Sequence, residues 1–74
     1  MRYNMTISYK KLWKLLIDKN MKRQDLRNIT QPKLSTATLA KLSKGENVNT
    51  EVLMRICKAL NCDICDIMEF ENNE

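Results

Sequence analysis

Several residue types that small proteins use for catalysis, metal binding and tight turns are rare or missing in this chain. It has 74 residues, with no histidine, one glycine and one proline. The shortage of glycine and proline disfavours a sheet-rich fold, because such folds need many tight turns. Three cysteines and no histidine cannot form a closed four-ligand zinc site within one chain. There is also no glycine-rich phosphate loop and no carboxylate pair in a pocket-forming context, so we expect no enzyme and no cofactor.

Aromatic residues and long apolar runs are scarce as well. One tryptophan, two tyrosines and one phenylalanine are too few for a platform that stacks single-stranded bases. No apolar run reaches the roughly 18 residues that a membrane helix needs. The early apolar cluster at 12–17 is interrupted by Lys14 and is amphipathic, unlike a secretory signal. We therefore expect a cytoplasmic protein with no membrane partner.

The length and composition predict one globular domain over residues 1–74. The hydrophobic share of 43% is ordinary for a folded protein, so disorder is not the default. A chain of this size buries only about 60–65% of its extended surface, so its core is small.

Charge is unevenly distributed along the chain. Residues 1–44 hold eleven Lys and Arg against two Asp, a net charge of +9. Residues 45–74 hold two Lys and Arg against seven Asp and Glu, a net charge of −5, and the two parts give the +4 of the whole chain. A basic front half indicates a polyanionic partner, although a solvated lysine-rich surface explains the charge pattern alone equally well.

Apolar periodicity predicts a mainly helical fold with short strands at both ends. Residues 2–7 alternate apolar and polar side chains, as a half-buried strand does, and their candidate partner is the segment 67–71, either of the same chain or of a second copy. Between these segments, apolar residues recur at helical spacing. The predicted helices run from about 8 to 19, 22 to 29, 35 to 44, 50 to 60, and over a short stretch from 63.

Residues with known capping preferences stand at the predicted helix ends. Ser, Thr and Asp accept hydrogen bonds from the free amides of a helix start, while Asn and Gly tolerate the left-handed conformation that ends a helix. The predicted N-caps are Ser8, Ser35, Thr50 and Asp63. The predicted left-handed ends are Asn20 and Gly45, and Asn61 is predicted to end the fourth helix. Besides the leucines, the side chains predicted to face inward include Trp13, Ile17, Cys57, Ile64, Ile67 and Met68.

The third predicted helix has two different faces. Leu39 and Leu42 are three residues apart and share one face, which predicts contact with the core. The other face carries small hydroxyls near its start and lysines near its end. Such a helix can be held from behind by a core and inserted into a groove in front.

A family resemblance agrees with this pattern. Residues 21–45 resemble the helix-turn-helix motif of the Cro and phage-repressor (XRE) family of DNA-binding regulators, and the likeness extends over about residues 8–70. It rests on the run Leu-Ala-Lys-Leu-Ser-Lys-Gly-Glu-Asn-Val combined with Ile-Cys-Lys-Ala-Leu-Asn-Cys further on. The motif residues are Met21, Leu26, Ile29, Leu39, Leu42 and Gly45. The resemblance implies an all-α, compact five-helix lambda-repressor-like domain.

The resemblance also implies a function. A regulator of this family inserts its second motif helix, here 35–44, into the major groove of double-stranded DNA, commonly as a repressor and as a homodimer. The positions that would reach bases are Thr36, Ala37 and Lys41. The residues expected to contact phosphates are Lys22, Arg23, Gln24, Lys33, Ser35, Lys44 and Asn47. No metal and no small-molecule ligand is implied.

Lys22 and Arg23 are also unusual in their position at the start of the second predicted helix. Two basic residues in the first turn of a helix oppose its dipole, so a negative ligand explains them better than helix stability does. For dimerisation, the candidate surfaces are the terminal strands, the last helix and Phe70.

Two departures from the family pattern favour an alternative function. Arg27 occupies a position where the family usually has a small residue, and the turn containing Pro32 is about two residues longer than usual. Both changes affect the angle between the motif helices. The alternative is a protein-interaction module, antitoxin-like or an adaptor, that keeps the fold without strong DNA binding.

The three cysteines, Cys57, Cys62 and Cys65, leave two interpretations. A Cys-x-x-Cys pair can bind metal or sense oxidants. Free cysteine is also a common small core residue, which is the interpretation we favour. Cys65 lies in the first turn of the last predicted helix, where a thiolate is favoured, so it is the candidate reactive thiol.

Overall fold

The computed structural model describes residues 5–72 and is mainly helical over that range. In chain order it contains β1 (Met5–Ser8), α1 (Lys10–Asp18), α2 (Arg23–Ile29), α3 (Thr36–Lys44), α4 (Thr50–Leu60), a single 3₁₀ turn (Ile64–Asp66) and β2 (Glu69–Asn72). The four long predicted helices are confirmed to within one or two residues at each end. Among these described residues, no helix is both long enough and apolar enough to span a bilayer.

The prediction of a fifth helix was wrong, because residues 64–66 form a single 3₁₀ turn and not a longer helix. Asp63 caps this turn as predicted: its Oδ1 accepts from the amide of Ile64 at 2.7 Å, and Asp66 accepts from the amide of Asp63 at 2.9 Å. Strand β2 starts at Glu69, so the chain leaves helical geometry after one turn. Ile67 is fully buried as predicted, whereas Ile64 is 43% exposed.

Helix caps follow the sequence except at two starts. Ser35 caps α3 as predicted. Helix α1 has Tyr9 at its N-cap position, one residue after the predicted Ser8, because Ser8 belongs to strand β1; the Ser8 hydroxyl still accepts from the amide of Lys10 at 3.3 Å. Thr50 is the first residue of α4, so Asn49 takes its N-cap position, without a side-chain cap bond. The predicted left-handed ends are confirmed, with φ of 56° at Asn20 and 73° at Gly45, and Asn61 ends α4 with φ of 54°.

The two terminal segments pair as an antiparallel sheet within one chain. The register places Met5 opposite Asn72 and Ile7 opposite Phe70. The pairing is confirmed, although it uses 5–8 with 69–72 instead of 2–7 with 67–71, since residues 67 and 68 complete the preceding turn; residues 2–4 lie outside the described range.

Two ion pairs attach the acidic strand β2 to the start of α1. Lys10 lies 3.3 Å from Glu71, and Lys11 lies 3.3 Å from Glu69. The Ser8 hydroxyl, with the Lys10 ammonium, lowers the pKa of the half-buried Glu71 carboxyl. Glu69 and Glu71 therefore neutralise lysines of α1, and neither pairs with a lysine of α3.

The core is built from one face of each helix. Its fully buried apolar side chains, each less than 2% exposed, are Leu12, Leu16, Leu26, Leu34, Leu42, Ile56 and Ile67. The prediction for Ile17 was wrong, because its side chain is 74% exposed. It stands about 100° around the helix from the buried Leu16, which turns it past the edge of the core face. Trp13 is half-buried against the core, as predicted.

Candidate nucleic-acid interface

Helix α3 is anchored to the core by one face and fixed at both ends. Leu42 is 1% exposed, and Leu39 is half-buried. At the start, Ser35 Oγ accepts from the amide of Thr38 at 3.0 Å. At the end, Gly45 takes the left-handed conformation, and its amide donates to the carbonyl of Leu42 at 3.2 Å. The helix therefore presents its opposite face in a defined orientation.

That opposite face is open to solvent along most of its length. Thr36, Ala37 and Lys41, the three predicted base-contacting residues, are all exposed. Thr38 is half-buried, in agreement with its predicted position nearer the packing side.

The turn that precedes α3 is fixed by a buried threonine. Thr30 has no exposed surface; its hydroxyl donates to the carbonyl of Arg27 at 2.9 Å and accepts from the amide of Leu34 at 3.2 Å. Leu34 is itself buried, so the longer turn remains attached to the core at both ends despite its exposed cis Gln31–Pro32 segment. Sequence reasoning missed Thr30, because a threonine within a polar turn carries no sign of burial.

The seven predicted phosphate-contacting residues are also exposed. They are Lys22, Arg23, Gln24, Lys33, Ser35, Lys44 and Asn47. The structure brings some of them close to α3: Asn47 lines a groove and a smaller cleft together with Lys41, and Lys44 lines a third depression together with Trp13. No hydrogen bond or ion pair joins Lys22, Gln24 or Lys33 to that group within residues 5–72.

Most cations around α3 have no acidic partner in the described part of the chain. Ion pairs within 4.0 Å there involve Lys10, Lys11 and Arg55. None involves the lysines of the candidate interface, which are Lys22, Lys33, Lys41 and Lys44. Unpaired cations beside an exposed helix create a positive potential that attracts a polyanion.

Arg23 differs from the other candidate cations. Its guanidinium carbon lies 4.0 Å from the centroid of the Trp13 ring, and its Nη1 donates to Ser43 Oγ at 2.8 Å. A tertiary contact therefore uses the charge of Arg23, which local helix stability and a negative ligand did not predict.

Arg27 is tolerated next to a fully buried leucine. Leu26 has no exposed surface and belongs to the core, so α2 still packs against the core through it. Arg27 itself is half-buried, and its Nε is buried without a hydrogen-bond partner in the structure. The fold therefore accommodates Arg27 where the family usually has a small residue, but the Nε of Arg27 is left without a hydrogen bond.

Tyr9 is a second structural residue that the sequence did not reveal. Its side chain is 3% exposed, and its hydroxyl donates to the carbonyl of Glu46 at 3.0 Å. Burial raises the pKa of this phenol. The bond joins the start of α1 to the loop after α3, so it helps to place Asn47 beside Lys41.

Cys57 and Cys62 are the two thiols that lie close together. The Cys-x-x-Cys pair of the sequence is a different one, Cys62 and Cys65. Cys57 and Cys62 are both half-buried and pack against the core. Cys57 is less buried than predicted, since it lies at the edge of its helix stripe. Cys65 is exposed. No cluster of three or more His, Cys, Asp or Glu side chains suited to a metal exists within 5–72.

We predict slow alkylation of Cys57 at pH 8. Burial, aided by the neighbouring Cys62, raises the pKa of the Cys57 thiol to about 11 from an ordinary value of 9.0. Since the thiolate is the nucleophile, its reaction should be about 100-fold slower than in the unfolded chain. Iodoacetamide labelling followed by peptide mass spectrometry measures this rate; equal rates for Cys57 in folded and urea-unfolded protein would contradict the prediction.

The raised pKa of Cys57 also affects stability. Because the unfolded chain loses the Cys57 thiol proton at a lower pH than the folded chain, the contribution of this thiol to the free energy of unfolding falls as pH rises from 9 to 11.

A short helix, a turn and a second helix whose outer face is exposed and surrounded by unpaired lysines define a helix-turn-helix DNA-binding protein. The chain belongs to the Cro/C1-type HTH DNA-binding domain family, whose model matches residues 11–73. It is similar to the crystal structure of the transcriptional regulator VanUg, with 48% identity and a TM-score of 0.88 over 99% of this chain and 93% of that one. A comparison with curated proteins gives no match. The chain is thus a DNA-binding regulator of the helix-turn-helix type.

Proposed function

We propose that this protein is a sequence-specific repressor that acts in the cytoplasm as a homodimer and inserts α3 into the major groove of double-stranded DNA. The observation that carries the proposal is the two-faced helix α3, with Leu42 buried and Thr36, Ala37 and Lys41 exposed. Repression is the usual outcome in the family that the sequence resembles.

The exposed face of α3 supplies the proposed base contacts. The Thr36 hydroxyl can donate or accept, the Ala37 methyl can touch a thymine methyl, and Lys41 can donate to the O6 and N7 acceptors of guanine. No arginine, asparagine or glutamine stands on this face, so bidentate base recognition is missing. Direct sequence selectivity should therefore be modest.

Phosphate contacts are proposed to supply most of the affinity. The candidates are the exposed residues around α3: Lys22, Arg23, Gln24, Lys33, Ser35, Lys44 and Asn47. Each cation that neutralises a phosphate releases counterions, which makes binding weaken as salt rises. Six to ten such contacts lower affinity by about 10³–10⁵ between 50 and 200 mM salt.

The homodimer is proposed to form through the exposed face of the terminal sheet. Met5 and Phe70 are diagonal neighbours on one sheet face and are 47% and 65% exposed. A two-fold interface brings each patch against its own copy, so Met5 and Phe70 of one chain can pack against the same pair of the other.

A protein-interaction module is the second candidate function. Arg27 favours it, because its half-buried side chain with an unsatisfied Nε replaces the small residue that the family usually has there. The unpaired lysines around α3 oppose it, since a cationic surface suits a polyanion such as DNA and a protein partner need not be polyanionic.

Random-site selection with the purified protein, followed by mobility shifts from 50 to 200 mM salt, tests the proposal. We expect recovered sites with two-fold symmetry and binding that weakens steeply with salt. Asymmetric sites would contradict the homodimer, and a salt-independent shift would contradict the phosphate contacts. Absence of any shift at 50 mM salt would favour the interaction module.

A further inference from the structure

The side chain of Arg23 connects three helices. Arg23 is the first residue of α2, its guanidinium stacks on Trp13 of α1, and it donates to Ser43 of α3. No ion pair within 4.0 Å neutralises it among residues 5–72. A cation in the first turn of a helix opposes the dipole, so the stability of α2 alone does not account for it.

The hydrogen bond from Arg23 to Ser43 lies far from the turn between the two motif helices. At the turn, Thr30 links Arg27 to Leu34 through its buried hydroxyl. Arg23 stands at the start of α2 and Ser43 in the last turn of α3, so their bond joins the two helices at the opposite end. Helices linked at both ends keep one crossing angle.

We infer that Arg23 is a positioning residue for DNA binding: stacked on Trp13 and bonded to Ser43, it sets the angle at which α3 is presented. This inference rests on the proposed function, DNA binding through α3. The planar guanidinium is suited to the task, since it can lie flat on an indole ring while donating in its own plane. Ser43 then acts on DNA only through Arg23.

Substitution of Ser43 separates positioning from phosphate contact, because Ser43 is uncharged. Ser43→Ala removes the acceptor without changing any charge, and alanine is the better helix former, so loss of helix propensity cannot explain weaker binding. We expect affinity for a selected duplex to fall about three- to tenfold, the range for one lost hydrogen bond, with an unchanged salt slope. Ser43→Thr keeps the hydroxyl and should restore binding.

Three further variants complete the experiment. Arg23→Lys keeps the charge but loses the planar stack, so it should weaken binding as Ser43→Ala does, and the double variant should be no weaker than either single one. Lys44→Gln is the matched control for a phosphate contact and should reduce the salt slope by about one. Thermal unfolding followed by circular dichroism establishes that every variant is folded at the assay temperature.

The outcomes distinguish failure of this inference from failure of the proposed function. If wild-type protein binds but Ser43→Ala binds equally well, Arg23 does not act through Ser43 and the inference is overturned. Arg23→Gln, which removes the charge, tests the alternative role: a salt slope reduced by about one in this variant, with Ser43→Ala unaffected, would make Arg23 a phosphate contact only. If wild-type protein fails to bind any duplex at 50 mM salt, the proposed function fails first and the inference fails with it.

Discussion

Charge reversal at both Lys41 and Lys44 is expected to lower affinity for DNA by at least about 100-fold at 0.1 M salt, since like charges at an interface cost several kcal/mol. Both side chains are exposed in the second half of α3, and no acidic residue within 5–72 pairs with either. Fluorescence anisotropy with a labelled selected duplex measures the loss. The single variants should differ: Lys44→Glu should weaken all sequences uniformly, while Lys41→Glu should also relax base preference.

The control for this experiment is Lys58→Glu in α4. Lys44 and Lys58 both lie in the last turn of a helix, so each substitution removes the same favourable interaction with a helix dipole, about 0.3–1 kcal/mol. Lys58 is exposed but lies outside the proposed interface. We expect Lys58→Glu to bind within a few-fold of wild type. A double Lys41 and Lys44 reversal that is folded and still binds normally would remove α3 from the interface.

Truncation of Ile56 should strongly destabilise the fold. Ile56 has no exposed surface, so Ile56→Ala leaves a cavity in the core and should lower the free energy of unfolding by about 2–5 kcal/mol. A domain of this size is stable by only about 4–11 kcal/mol. A loss of about 3 kcal/mol should lower the melting temperature by roughly 12–24 °C. Urea and thermal unfolding followed by circular dichroism provide the measurement.

Met54→Ala is the matched control within the same helix. Met54 lies two residues before Ile56 in α4, but its side chain is 70% exposed. Both substitutions introduce alanine into a helix interior, so their effects on helix propensity are similar. We expect Met54→Ala to change the free energy of unfolding by no more than about 0.5 kcal/mol. Equal losses at the two positions would mean that the core is not packed around Ile56 as the structure shows.

For the candidate interface, the sequence predicted which side chains are exposed. The ten residues predicted to contact bases or phosphates all lie on the surface. Exposure is predictable because it follows from the helical period: once Leu39 and Leu42 are placed inside, Lys41 must lie on another face. Whether these residues contact DNA is a property of the complex, and it stays a prediction.

The role of Arg23 could not be predicted in the same way. Its sequence position, at the start of a helix, suggested an unpaired cation. The contacts that use its charge come from Trp13, ten residues before it, and Ser43, twenty residues after it. A pattern of local spacing contains no information about which distant side chain will be adjacent after folding.

The sequence by itself determined the local features of this protein: the helices, the left-handed ends at Asn20 and Gly45, and the two faces of α3. These depend on interactions within four residues, which capping preferences and apolar period describe. Only the tertiary structure decided the burial of Thr30, the bond from Tyr9 to the loop at Glu46 and the register of the terminal strands. Those features arise when distant segments meet around a shared core, where the partners are chosen by packing and not by spacing along the chain.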